Sequence, residues 1–187
     1  MTKYPVFIVK GDAPLYGRSW ADDYHIISKD KYVLGQTIIT CDNNVTSARA
    51  MFARCHNLTS IDLSGFNTSK IFNMSYMFME CFDLAKLNLS NLDTSRVSDM
   101  RWMFNECYKL TTLDLSSFDT SKVKGMTGMF WGCTNLTTIK GVIDMKSCMK
   151  CYLMFKGCFN LRDVKIKNPP ADFNGGGLNP SQYTIVS

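Results

Sequence analysis

Apolar residues recur at a regular spacing between residues 97 and 110, where the chain contains Val97, Met100, Met103, Phe104, Cys107 and Leu110. Helical periodicity would put these side chains on one face, and Thr94 or Ser95 stands where a helix cap is expected. The pattern then changes to the alternation Leu113-x-Leu115, which is typical of a short strand. The pattern therefore predicts a short helix followed by a short strand.

This unit recurs along the chain with a period of about 26 residues. The dipeptide Met-Phe begins at positions 51, 77, 103, 129 and 154. A cysteine follows three residues after each of these phenylalanines, at Cys55, Cys81, Cys107, Cys133 and Cys158. A fixed period of this length predicts a solenoid, in which each unit buries its apolar face against its neighbours. We expect an α/β solenoid of the leucine-rich-repeat type, with about five 26-residue strand–helix units.

The repeat divides the chain into three parts. Residues 1–40 lie outside it and are predicted to form an N-terminal cap, with strand-like runs at residues 5–9 and 32–40. Residues 41–167 form the solenoid. Residues 168–187 begin with a proline pair that stops the repeat, and they are predicted to form a C-terminal cap with a closing strand at residues 182–186.

Cysteine chemistry is the first alternative to a purely structural repeat. The chain has eight cysteines, and the five in the repeat column occupy a position that requires a small apolar residue. If packed helices lie about 8–10 Å apart, these thiols are too distant for disulfides. Cys148-x-x-Cys151 has the spacing of a zinc or redox motif, but both cysteines replace apolar residues and no second pair matches them. A buried, reduced column is the favoured interpretation.

Catalytic and cofactor motifs are missing from the sequence. It contains no nucleophile–His–acid set, phosphate-binding loop, dinucleotide-binding loop or zinc-binding His pair. We therefore expect a protein that is not an enzyme and has no catalytic, cofactor-binding or metal site.

Charge and hydropathy limit the kinds of partner that the chain is expected to bind. The net charge is +5, and residues 139–167 contain seven basic and two acidic residues, so one end of the solenoid is basic. A solvated face is the favoured interpretation of these lysines, and no specific nucleic-acid binding is expected. No apolar run reaches the roughly 18 residues needed to cross a bilayer, and no signal peptide is visible in the first residues.

The outward face of the predicted sheet is the first candidate binding surface, because alternation leaves its polar side chains exposed on the concave side. We assign partner binding to Ser60, Asp62, Ser64, Lys86, Asn88, Ser90, Thr112, Asp114, Ser116 and Lys140. Tyr76 and Trp102 share one column of the repeat and form a second candidate patch. The two caps are candidate surfaces for self-assembly.

The full unit at residues 110–133 reads Leu-Thr-x-Leu-Asp-Leu-Ser-x-Phe-x-Thr-Ser-x-Val-x-x-Met-x-x-Met-Phe-x-x-Cys. It closely resembles the 26-residue repeat of BspA-like leucine-rich repeat surface proteins of bacteria, over roughly residues 45–166. The resemblance implies a non-catalytic adhesion module that recognises a protein or glycan at a bacterial cell surface. Related repeats are also common in bacteriophage tail and virion proteins, so a structural or receptor-binding virion protein is the alternative. The expected location is the bacterial cell surface, the extracellular space or a phage virion.

Overall fold

Short parallel strands dominate the regular secondary structure. The computed structural model describes residues 6–9, 38–41 and 45–187, except residues 57, 64 and 65. Its strands are β1 Val6–Val9, β2 Ile38–Cys41, β3 Ser60–Asp62, β4 Lys86–Asn88, β5 Thr112–Asp114, β6 Thr138–Lys140, β7 Val142–Asp144, β8 Val164–Lys167 and β9 Tyr183–Val186. Strands β1–β4 form one parallel sheet in chain order, β5 and β6 a second, and β7–β9 a third. The chain winds as a β-solenoid of about five turns, which we number by the Met-Phe pair that each contains.

The predicted strand–helix repeat is wrong. Among the described residues there is no α-helix, and the helical elements are two one-turn 3-10 helices in the C-terminal segment, Gly175–Gly177 and Pro180–Gln182. The protein is therefore a β-solenoid and not an α/β leucine-rich-repeat solenoid. The short strands expected after each leucine do form, at β3, β4, β5 and β6.

A chain of tight turns replaces the predicted helix around each Met-Phe pair, and we call residues 48–58 and their equivalents the tight-turn segment. Alternate N–H groups bond to the next turn of the solenoid, as in Phe78 N to Met103 O at 2.9 Å. The intervening N–H groups close turns within the same segment, as in Cys107 N to Phe104 O at 3.3 Å. This geometry places Trp102 and Glu106 in the left-handed region, with φ of 59° and 57°.

The spacing of the apolar residues explains why the sequence predicted a helix. Most of the apolar residues between Val97 and Leu110 are three apart, and a helix face accepts that spacing. Turns closed between residues i and i−3 have the same spacing, and they connect Val97 to Thr94, Met103 to Met100 and Leu110 to Cys107. The local pattern is thus compatible with both structures. Hydrogen bonding between turns selects the chain of tight turns.

The repeat columns form stacked ladders through the core. Five buried phenylalanine rings stack at 5.3–5.7 Å between centroids, and they are Phe52, Phe78, Phe104, Phe130 and Phe155. Beside them the thiol of Cys81 donates to Phe52 O at 3.0 Å, and that of Cys107 to Phe78 O at 3.1 Å. The predicted column of buried cysteines is confirmed, and the seven cysteines from Cys55 to Cys158 are free. The reason predicted for the lack of disulfides is wrong, because these cysteines do not lie on packed helices.

Thr94 is not a helix cap. Its hydroxyl donates to Asp119 O at 3.1 Å and accepts from Asp119 N at 2.8 Å, so it joins one turn to the next. Thr68 and Thr120 donate to the equivalent carbonyls of Asp93 and Asp144. All three threonines are buried, and each satisfies a polar backbone group inside the stack.

The shortened fourth turn accommodates its missing residue at Gly141. This residue separates β6 from β7 and has φ of 97°, a conformation that favours glycine. A Cβ at this position would lie 2.8 Å from the carbonyl carbon of Leu115, so the close approach also excludes a side chain.

The C-terminal segment covers part of the last turn. Strand β9 pairs with β8, which places a closing strand where the sequence predicted one. Gly176 O accepts from Phe155 N at 2.8 Å, and the Gln182 side chain donates to Leu161 O at 2.7 Å. At the other end, β1 overlaps one predicted strand and β2 overlaps the end of the other, while the rest of the predicted N-terminal cap lies outside the described residues.

Candidate binding surfaces

The sheet face presents its polar side chains in register within each pair of hydrogen-bonded strands. Asp62 lies opposite Asn88 in the backbone pairing of β3 and β4, and Asp114 lies opposite Lys140 in that of β5 and β6. Seven of the assigned residues are exposed, and these are Lys86, Asn88, Ser90, Thr112, Asp114, Ser116 and Lys140. Ser60 is half-buried, the description of Asp62 is limited to its backbone, and Ser64 lies outside the described residues. The predicted columns are therefore in register within β3–β4 and within β5–β6.

Local hydrogen bonds orient the acceptors on this face. Asp114 Oδ1 accepts from Ser116 N at 3.0 Å, and Asn88 Oδ1 accepts from both the N–H and the hydroxyl of Ser90, at 3.1 and 2.8 Å. The bonds from Ser116, together with nearby Lys140, lower the pKa of Asp114. The face thus combines a carboxylate held by local hydrogen bonds with exposed lysine cations, which suits hydrogen bonding and ion pairing.

The two residues of the second predicted patch each contact other aromatic or cationic side chains. The Arg49 guanidinium lies 4.6 Å from the Tyr76 ring centroid, and the Lys156 amino group lies 4.7 Å from that of Trp131. Trp102 packs on Trp131 with ring centroids 5.1 Å apart. Sequence reasoning assigned Tyr76 and Trp102, but it missed that cations and a second indole already cover ring faces.

A second aromatic stack follows the cysteine column. His56 stacks on Phe82 at 4.5 Å, and Phe82 stacks on Tyr108 at 5.1 Å. The Tyr108 hydroxyl donates to Glu106 Oε2 at 2.7 Å, and this bond is the main reason that the pKa of Tyr108 rises to about 12. Packing between turns accounts for the aromatic residues in these positions.

A comparison with known families matches residues 44–168 to DUF285, described as "Mycoplasma protein of unknown function". The match spans about two-thirds of the chain and covers all five Met-Phe pairs. The chain belongs to the DUF285 family. No curated protein and no solved structure matches the chain. The β-solenoid is therefore the fold of this DUF285 region.

The Cys148-x-x-Cys151 pair lies inside the DUF285 region, at the start of turn five. Both residues are buried. Burial raises the pKa of Cys148 to about 12, and burial is also the main cause that raises the pKa of Cys151. A raised pKa disfavours the thiolate that nucleophilic and metal-binding chemistry requires. The two thiols fit packing better than catalysis.

In the described part of the DUF285 chain, no group of three or more His, Cys, Asp or Glu residues is placed to hold a metal ion. None of the helices found in that part is long and apolar enough to cross a bilayer.

Turn five carries a surface that sequence reasoning missed. Met149, Tyr152, Leu153 and Phe159 are exposed by 70%, 61%, 42% and 74%. In turn four the equivalent positions are occupied by Lys124, Thr127, Gly128 and Thr134. The change from polar or small residues to large apolar ones was visible in the aligned repeats, but only the structure shows that these side chains are exposed.

Proposed function

We propose that this DUF285 protein is a non-catalytic binding module that recognises a protein or glycan at a bacterial cell surface. The observation that supports this best is the exposed, in-register polar face of the short strands, with Asp114 held beside Lys140 and Lys86 one turn away. The resemblance of the repeat to BspA-like surface proteins supports the same function. A rigid stack that presents regularly spaced polar groups suits recognition of an extended ligand.

The physical basis is preorganisation. Backbone pairing between turns sets the distance between neighbouring side chains, at about 4.8 Å between paired strands. The hydrogen bond from Ser116 N fixes the Asp114 carboxylate before a ligand arrives. A ligand that matches the columns therefore loses less free energy to the ordering of protein groups.

The test is a charge reversal of the sheet face. The variant combines Lys86→Glu, Asp114→Lys and Lys140→Glu, and the labelled chain is applied to an array of extracellular-matrix proteins and bacterial and host glycans. We expect at least a tenfold loss of affinity for every ligand that the unmodified chain binds, because each charged contact on the face changes sign.

The matched control combines Lys70→Glu, Asp83→Lys and Lys109→Glu, which makes the same change in net charge away from the sheet face. This control should retain binding, and circular dichroism should show that both variants are folded. Equal binding by the two variants, or an unmodified chain that binds nothing on the array, would contradict the proposal.

A further inference from the structure

Hydrogen bonds from the alternate N–H groups around each Met-Phe pair point in one direction along the solenoid, towards the following turn. In turn four, Gly128 N donates to Tyr152 O at 3.0 Å and Phe130 N donates to Met154 O at 2.8 Å. Met126 and Gly132 donate in the same direction, to Lys150 O and Lys156 O. Around the Met-Phe pair, each segment therefore accepts from the preceding turn and donates to the following one, whereas near the segment ends Asp83 N and Lys109 N donate to the preceding turn.

Turn five is the last segment of this series, and its donors correspond to Cys151, Leu153, Phe155 and Gly157. Gly176 of the C-terminal segment accepts from Phe155 N at 2.8 Å. Within the described residues, the N–H groups of Cys151, Leu153 and Gly157 have no acceptor. The C-terminal segment thus pairs with the middle of the donor row. Cys151 is buried, whereas Leu153 is 42% exposed, so the Leu153 N–H is the open donor, like those at the edge of an unpaired strand.

The same turn carries the exposed apolar side chains Met149, Tyr152, Leu153 and Phe159. Leu153 also has φ of 55°, a strained conformation for leucine, although the equivalent residue in turn four is Gly128. Apolar anchors beside an open backbone donor are the two elements that strand addition requires.

Charge determines which kind of segment fits. Residues 139–167 contain seven basic and two acidic residues, and the exposed basic residues include Lys146, Lys150 and Lys156. A second copy of this turn facing the first would place like charges together. An acidic segment would instead meet opposite charge, which favours association.

We propose that turn five is a docking edge for an extended, acidic segment of a partner protein. A backbone carbonyl of that segment accepts a hydrogen bond from Leu153 N. Its apolar side chains cover Met149, Tyr152 and Phe159, and its carboxylates pair with Lys146 and Lys150. This proposal rests on the proposed binding function and adds a second surface with a defined partner chemistry.

The first experiment measures amide hydrogen exchange by NMR on the whole chain. In the free protein the protection factor of Leu153 should be at least tenfold lower than that of Gly128, whose N–H is bonded in the equivalent position. Addition of a synthetic eight-residue peptide that alternates Glu or Asp with Val or Leu should raise the Leu153 protection factor at least tenfold. A Leu153 amide already as protected as that of Gly128 in the free chain would overturn the proposal.

The second experiment measures peptide affinity by fluorescence anisotropy. The acidic peptide should bind at least tenfold more tightly than the same peptide with lysine at every acidic position. The combined variant Met149→Ser, Tyr152→Ser and Phe159→Ser should bind the acidic peptide with at least tenfold lower affinity, whereas Phe72→Ser should leave that affinity unchanged. Phe72 is the matched control, because it occupies the position of Met149 in turn two and is 51% exposed.

Three results would reject the acidic segment as occupant. The first is equal binding of the acidic and the lysine peptide. The second is Leu153 protection that increases with protein concentration, which indicates a second copy, and the third is protection by phosphatidylglycerol vesicles with none by the peptide. The turn-five variants leave the sheet face unchanged, so array binding by these variants tests the proposed function separately.

Discussion

The indole of Trp102 lies directly against Gly128 of the following turn. A Cβ at Gly128 would be 2.4 Å from the Cε3 atom of Trp102, and Gly128 has φ of 60°. The glycine thus makes room for a tryptophan that itself has a left-handed backbone conformation. This pair shows how one turn determines which residue the next turn accepts.

Gly128→Ala should destabilise the protein by about 2–4 kcal/mol, since it adds a steric overlap to a strained φ. Urea unfolding followed by tryptophan fluorescence measures the change. Gly125→Ala is the control: a Cβ there would lie 3.1 Å from the flexible Arg101 side chain and needs no left-handed φ, so it should cost less than about 1 kcal/mol. Equal losses would contradict the packing of Trp102 on Gly128.

Thr94→Val should cost about 1–3 kcal/mol, because it leaves both the N–H and the carbonyl of Asp119 without their partner. Thermal unfolding by calorimetry provides the measurement. Thr112→Val, on the exposed sheet face, should change the free energy of unfolding by less than about 0.5 kcal/mol. A Thr94→Val variant as stable as the parent would show that the threonine ladder does not hold the turns together.

The column cysteines should resist alkylation while the protein is folded. Burial raises the pKa of Cys55 and of Cys158 to about 12, and it raises the pKa values of Cys81, Cys107 and Cys133 in the same direction. Near pH 8 these groups are therefore neutral thiols, which react slowly. Iodoacetamide labelling followed by peptide mass spectrometry should modify them only after denaturant is added. Rapid labelling of Cys107 under native conditions would contradict the buried column.

The hydroxyl of Tyr108 should titrate near pH 12 in ultraviolet absorbance. Its folded pKa is raised above the ordinary value, chiefly by donation to Glu106. This bond therefore stabilises the fold fully below about pH 10, the pKa of an unfolded tyrosine, and the contribution is lost as pH rises towards 12. Glu106→Gln should return the pKa towards 10, and Tyr108→Phe should remove the transition. A Tyr108 titration that Glu106→Gln leaves unchanged would show that the bond is absent.

The sequence predicted which polar side chains of the candidate site are exposed, but it could not predict which side chains a neighbouring turn covers. Alternation along the strands correctly predicted that Lys86, Asp114 and Lys140 are exposed, because a strand places successive side chains on opposite faces. Trp102 was predicted as a contact residue, yet its packing on Trp131 depends on a neighbour 29 positions away. The apolar surface of turn five was missed for a related reason: residue type alone does not show whether the next layer covers Met149 or Phe159.

The sequence by itself determined that the chain is a solenoid, where its turns lie and which columns form the core. A period of 26 residues with invariant Met-Phe, Cys and Leu positions leaves each unit dependent on its neighbours for burial. Only the tertiary structure decided between helix and tight turns, because Val97, Met100 and Met103 have a spacing that both accept. The deciding interactions are the hydrogen bonds from one turn to the next, such as Phe104 N to Met129 O at 2.8 Å. An isolated repeat has no following turn to supply these carbonyls.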